Sequence, residues 1–178
     1  AIPWFEHMQS QSIELNDIAY NSLLNSFAKA GQPREALKYL SRMLAAGVPA
    51  NVMTLTCVVG AFGVARNLDA AFSWLGEMRS TDISPNILTY FSLISACKRE
   101  QPHPVGLLED ILRDMAAHKI SPDEKAAVEL SKMLGSDRFS MLQQQLGFEI
   151  NKEVGRVKER SKNQAYLAQR RQNMLAKE

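Results

Sequence analysis

Histidine, cysteine and carboxylate side chains hold metals and move protons, so their spacing comes first. His7, His103 and His118 compose no metal-ligand set and no acid–base pair. Cys57 and Cys97 lie 40 residues apart inside apolar helical stretches. That pattern predicts two buried free thiols rather than a disulfide. Glu109, Asp110 and Asp114 form an acidic helical face, which reads as solvated rather than metal-binding. No glycine-rich phosphate loop is present. The expectation is a chain without catalysis, metal, cofactor or small-molecule substrate. Hydrogen-bonding chemistry does recur at regular spacing. Asn16, Asn51, Asn86 and Asp123 stand 35, 35 and 37 residues apart, each before a helix pattern, where a short polar side chain caps backbone N–H groups.

The elements that carry them keep the same beat. Met8, Met43, Met78 and Met115 are 35, 35 and 37 residues apart. Tyr20, Leu55 and Tyr90 form another series, as do Val48, Ile83 and Ile120. A fixed period of this size is the mark of a solenoid, in which function belongs to a row of equivalent positions rather than to one pocket. Each unit reads as two helices. Ile18 to Ala30 places Tyr20, Leu23, Leu24, Phe27 and Ala28 at helical spacing, and Gly31 stops it. Pro33 opens the second helix, which buries Ala36, Leu37, Leu40 and Met43 before Gly47. Small residues in the first helices, Ser26, Ala61 and Ala96, let neighbours approach closely. The organisation is then a second helix of a partial repeat (1–16), repeats at 17–51, 52–86 and 87–123, a partial repeat (124–135) and an extension (136–178). The third repeat absorbs its two extra residues in the turn holding Pro102 and Pro104.

Hydrophobic content of 46% is enough for a packed core. The net charge of +2 is uneven. Residues 1–136 hold 12 Lys/Arg against 14 Asp/Glu, and residues 137–178 hold 9 against 5. Attraction to a polyanion through bulk charge therefore lies in the C-terminal part. The longest uncharged apolar run, Val52 to Ala65, is shorter than the ~20 residues a membrane span needs, so no membrane insertion is expected. The sequence begins inside a repeat, and a targeting segment would lie upstream.

The stretch "AYNSLLNSFAKAGQPREALKYLSRMLAAGV", with "LTYFSLISACKRE" and "ISPN…ISPD" in the later units, resembles the pentatricopeptide repeat family over residues 2–135. The related tetratricopeptide family has a 34-residue period and a different aromatic pattern. The resemblance implies an all-α, right-handed α-solenoid of helix-turn-helix repeats with a C-terminal helical extension. It implies binding of single-stranded RNA, about one base per repeat. The base-reading positions it implies pair Asn21 with Asn51, Thr56 with Asn86, and Phe91 with Asp123. Ile18, Met53 and Leu88 would wedge against base faces, and Lys29 and Arg99 would meet phosphates. The first pair would read a pyrimidine, most simply C, and the second A. Phe91 departs from the pattern, because it stacks but cannot hydrogen-bond a base edge. Capping and base reading are compatible roles for Asn51, Asn86 and Asp123.

Beyond Gly135 the period ends. Ser136 can cap a helix from Asp137 to Leu146, with Gly147 as its stop. From Asn151 a polar helical stretch carries Lys152, Arg156, Lys158, Arg160, Lys162, Arg170, Arg171 and Lys177, of which Arg156, Lys158, Arg160, Lys162, Arg170 and Arg171 are the expected phosphate contacts. Fully helical, it would be about 42 Å long. It reads either as a solvated tail or as an extension that docks on RNA phosphates or an acidic partner. Together these readings point to a non-catalytic RNA-binding protein of organellar gene expression, mitochondrial or else plastid. Its partners would be single-stranded or ribosomal RNA and other proteins of a large complex such as an organellar ribosome. The alternatives are a fragment of a sequence-specific RNA processing or translation factor, and a protein scaffold.

Overall fold

The computed structural model describes Phe5, His7 and residues 15–150. The chain divides into two units, residues 1–114 and 115–178. In the first unit the helices are α1 (Asp17–Ala30), α2 (Pro33–Ala45), α3 (Val52–Val64), α4 (Leu68–Ser80), α5 (Ile87–Cys97) and the greater part of α6 (Val105–Ala117). The expected ends of α1 and α2 agree to within one residue. Asn16, Asn51 and Asn86 cap α1, α3 and α5 with their side-chain oxygens, as the sequence predicts. Gly31 terminates α1 in the left-handed region (φ 62°), and Pro33 starts α2. The first helix of each pair packs on the next first helix, α1 on α3 and α3 on α5, while α2 and α4 flank that row.

The core of the first pair is a cluster of Phe5, Tyr20, Leu24, Phe27, Ala36, Tyr39 and Met43. Tyr39, rather than Leu37, completes the inner face of α2. Its ring meets Phe5 at 5.4 Å and Phe27 at 5.2 Å, and Leu37 is only half-buried. Helical phase explains the exchange. Ala36, Tyr39, Leu40 and Met43 share one stripe, and position 37 sits at its margin. Arg42 lies over the outer face of the same ring, 5.1 Å from its centroid.

Left-handed residues also keep the repeat beat. Gly31 (φ 62°) is answered by Arg66 (φ 59°), and Gly47 (φ 75°) by Asp82 (φ 58°) and Lys119 (φ 56°). A side chain there costs roughly 1–2 kcal/mol relative to glycine. Arg66 recovers part of that cost. Its guanidinium donates to the Arg99 carbonyl and lies 3.6 Å from the Glu100 carboxylate, joining one inter-helix turn to the next.

The acidic face on α6 is solvated only at Asp110, whose side chain is 64% exposed, and not throughout as the sequence suggested. The Glu109 and Asp114 side chains are 13% and 14% exposed. Arg113 donates to Glu109 and Asp110 at 2.9 Å each. Asp114 pairs with Arg79 at 2.5 Å and accepts the Tyr90 hydroxyl at 2.7 Å. Each of the three carboxylates is thus paired with an arginine. Burial first, then this hydrogen bond, push the Tyr90 phenol far above its usual range.

In the second unit α7 (Glu124–Leu134) and α8 (Ser136–Leu146) pack together. Asp123 caps α7 through the Ala126 N–H at 2.8 Å. Ser136 is the first residue of α8 rather than its cap. Gly135, at φ 86° and ψ 144°, turns the chain in one residue and takes the cap place. Gly147 ends α8 as expected, with its N–H on the Gln143 carbonyl. Phe139 and Phe148 close that end, with ring centroids 6.1 Å apart. Trp4, Met8 and residues 151–178, with the six expected phosphate contacts among them, lie outside the described residues.

Candidate nucleic-acid interface

The row of first helices places the wedge positions together on the surface. Ile18, Met53 and Leu88, in the first turns of α1, α3 and α5, are 68%, 43% and 48% exposed. Large aliphatic side chains gain from being buried, and three at equivalent places form a column that a flat apolar partner could cover. Beside that column runs a groove of about 360 Å³. It extends from Met53 and Leu88 to Lys29, in the last turn of α1, and Arg99, just past the end of α5. Phe91, Ser92 and Asn25 line its walls, and Gly60 and Cys57 its floor. Thus Met53, Leu88, Thr56, Phe91, Lys29 and Arg99 border one cavity. Val64, at the place equivalent to Lys29, leaves its middle without a cation.

The polar positions are tied to one another. Asn51 Oδ1 accepts the Met53 and Thr54 N–H groups at 3.0 and 3.1 Å, and its Nδ2 donates to Asp17 at 3.3 Å. Asn21 accepts the Thr54 hydroxyl at 2.8 Å. Asn86 Oδ1 accepts the Leu88 and Thr89 N–H groups at 3.0 and 3.1 Å. Thr56 is only 7% exposed, and its hydroxyl lies 2.7 Å from that of Thr89. Asn21 and Asn51 are half-buried. Phe91 is half-buried in the first unit, and Asp123 half-buried in the second. The sequence alone did not single out Thr54 and Thr89, although they stand at the same beat 35 residues apart. Val128, 48% exposed on α7, was also missed; it follows Phe91 by 37 residues, at the same place in its unit.

Both cysteines are free and buried, as expected. Burial pushes each thiol up from 9.0 to about 11. The folded chain therefore keeps protons that the unfolded chain releases near pH 9. Stability is full below that pH and declines as pH rises toward 11. Urea midpoints measured from pH 8 upward are expected to fall through this range, and a flat profile would contradict the burial of the thiols. Among the described residues no group of three or more His, Cys, Asp or Glu could hold a metal ion, and no helix is long and apolar enough to cross a membrane.

The family model described as the pentacotripeptide-repeat region of PRORP matches residues 1–144. The chain belongs to the pentatricopeptide repeat family. Its repeats form the all-α solenoid of that family. Two pentatricopeptide repeat-containing proteins of Arabidopsis thaliana are among its curated relatives. One, named as chloroplastic, is 28% identical and covers 69% of this chain and 25% of its own length. The other, named as mitochondrial, is 29% identical and covers 51% and 13%. The chain therefore spans a quarter or less of these pentatricopeptide relatives. Among solved structures it resembles the pentatricopeptide domain of Arabidopsis thaliana protein-only RNase P 1 in complex with tRNA. The TM-score is 0.65 at 16% identity, covering 91% of this chain and 88% of that one. It also resembles the pentatricopeptide repeat protein PPR10 from maize, with a TM-score of 0.63 at 21% identity, covering 85% and 22%.

Proposed function

We propose that this chain is a non-catalytic RNA-binding protein of organellar gene expression, mitochondrial or else plastid, that serves within a large ribonucleoprotein such as an organellar ribosome. The observation that carries the RNA reading is the groove, where exposed aliphatics, an aromatic ring and two cations border one cavity. Bases supply flat apolar faces for Met53, Leu88 and Phe91, and phosphates supply the charge for Lys29 and Arg99. A relative in this family is named as chloroplastic and another as mitochondrial, and a pentatricopeptide fold neighbour was solved with tRNA. Asn21 with Asn51 and Thr56 with Asn86 give two polar steps, and Phe91 ends the series. Two readable bases are too few for useful specificity, which favours a part in an assembly over a free sequence reader. The excess of 9 Lys/Arg over 5 Asp/Glu in residues 137–178 supports a second grip on phosphate.

Binding of short single-stranded RNAs in low salt tests the reading. The full chain should bind them, and should lose most of its affinity when residues 151–178 are deleted. A Thr56→Ala, Asn86→Ala double substitution should have a small effect. Loss of binding to a C-A-containing RNA in that double variant, with the tail dispensable, would instead favour a fragment of a sequence-specific factor. Absence of binding would leave the protein scaffold.

A further inference from the structure

Each polar step contains a threonine that touches both partners of its pair. At the first step the Thr54 hydroxyl is fully buried. It accepts the Asn51 backbone N–H at 3.1 Å and donates to Asn21 Oδ1 at 2.8 Å. At the second step Thr89, also fully buried, accepts the Asn86 N–H at 3.3 Å and meets the Thr56 hydroxyl at 2.7 Å. The third series breaks at both places together. Phe91 stands where Asn21 and Thr56 stand, and Ala126 where Thr54 and Thr89 stand.

The first step leaves little freedom in its amides. Asn51 must turn Oδ1 toward the start of α3 to cap it, so its Nδ2 faces Asp17, whose carboxylate accepts at 3.3 Å. Asn21 turns Oδ1 to the Thr54 hydroxyl, with its Nδ2 3.5 Å from Asn51 Oδ1. Flipping Asn21 would set two carbonyl oxygens against each other. Each amide then has a second N–H beyond these bonds, so the pair offers donors to a ligand.

We infer that Thr54 and Asp17 are positioning residues that fix Asn21 and Asn51 as a double donor, and so hold the first step to the cytosine that the family resemblance already implies for this pair. This rests on the RNA reading above. Cytosine presents N3 and O2 as adjacent acceptors, whereas uracil places an N3–H donor between its two carbonyl oxygens. A donor facing that N3–H makes no bond, and one such loss is worth roughly two- to tenfold in affinity.

The test uses the full chain and short RNAs with a central C-A, against siblings carrying U-A at the same place. The wild type should prefer C by roughly two- to tenfold. Thr54→Val and Asp17→Ala should each bring the ratio toward unity, and Thr54→Ser, which keeps the hydroxyl, should restore it. Asp17 is half-exposed, so its variant reports even where Thr54→Val melts early. Wild-type binding with no preference for C, or an unchanged ratio in Asp17→Ala and in folded Thr54→Val, would overturn this inference and leave the RNA reading standing. No binding of any RNA by the wild type would overturn both.

Discussion

Gly63→Leu is expected to lower unfolding free energy by roughly 2–4 kcal/mol. A Cβ at Gly63 would lie 2.9 Å from the Ala96 Cβ and 3.5 Å from the Ser92 carbonyl oxygen. Both obstacles are fixed to the backbone of α5, so no rotamer relieves them. The helices α3 and α5 would have to separate, opening the contact that joins the second pair to the third. Helix propensity pulls the other way, since glycine inside a helix costs up to about 1 kcal/mol. Gly60→Ala isolates that opposing effect. Its added Cβ meets Ala28 and Ser92 at 3.7 and 3.8 Å, ordinary contact distances. It should be neutral or slightly stabilising. Thermal and urea unfolding of the two variants would settle the matter, and wild-type stability in Gly63→Leu would refute the packing argument.

Reversing both groove cations, Lys29→Glu with Arg99→Glu, is expected to weaken single-stranded RNA binding at low salt by roughly tenfold or more. The sharper readout is the salt dependence. Each phosphate contact on a single strand contributes about 0.7 to the slope of log affinity against log salt, so losing both should flatten it by about 1.4. Lys29 and Arg99 are exposed at helix ends, so folding should be spared. A slope unchanged by these substitutions but flattened by deleting residues 151–178 would assign the phosphate contacts to the C-terminal part alone.

Much of this architecture was legible because it rests on periodic burial and on helix ends. The glycine stops and the asparagine caps are local signals of helix ends, and the methionine beat gives the period that they share. Tyr39 was harder, because a tyrosine and a leucine two places apart compete for one stripe and only tertiary contact with Phe5 and Phe27 decides. The α6 carboxylates were misread for a related reason. Arg113 is a local partner of Glu109 and Asp110, but the partners of Asp114, Arg79 and Tyr90, lie 35 and 24 residues away, beyond any local window. The groove was legible only as scattered positions. That Lys29 and Arg99 border one cavity depends on α1, α3 and α5 stacking in order. The buried threonines keep the 35-residue beat, but a threonine in an apolar helix reads equally as helix surface, so the beat alone did not mark them as buried.

Asn16, Asn51, Asn86 and Asp123 each close the first turn of the helix that follows them. Replacing such a cap by alanine costs typically about 1 kcal/mol. Any residue recruited there for a ligand must therefore come from the short vocabulary of Asn, Asp, Ser and Thr. Divergence at these places is restricted to an alphabet that the helix has already chosen, whereas the neighbouring places at Asn21, Thr56, Phe91 and Val128 are open to amide, hydroxyl, aromatic and aliphatic alike.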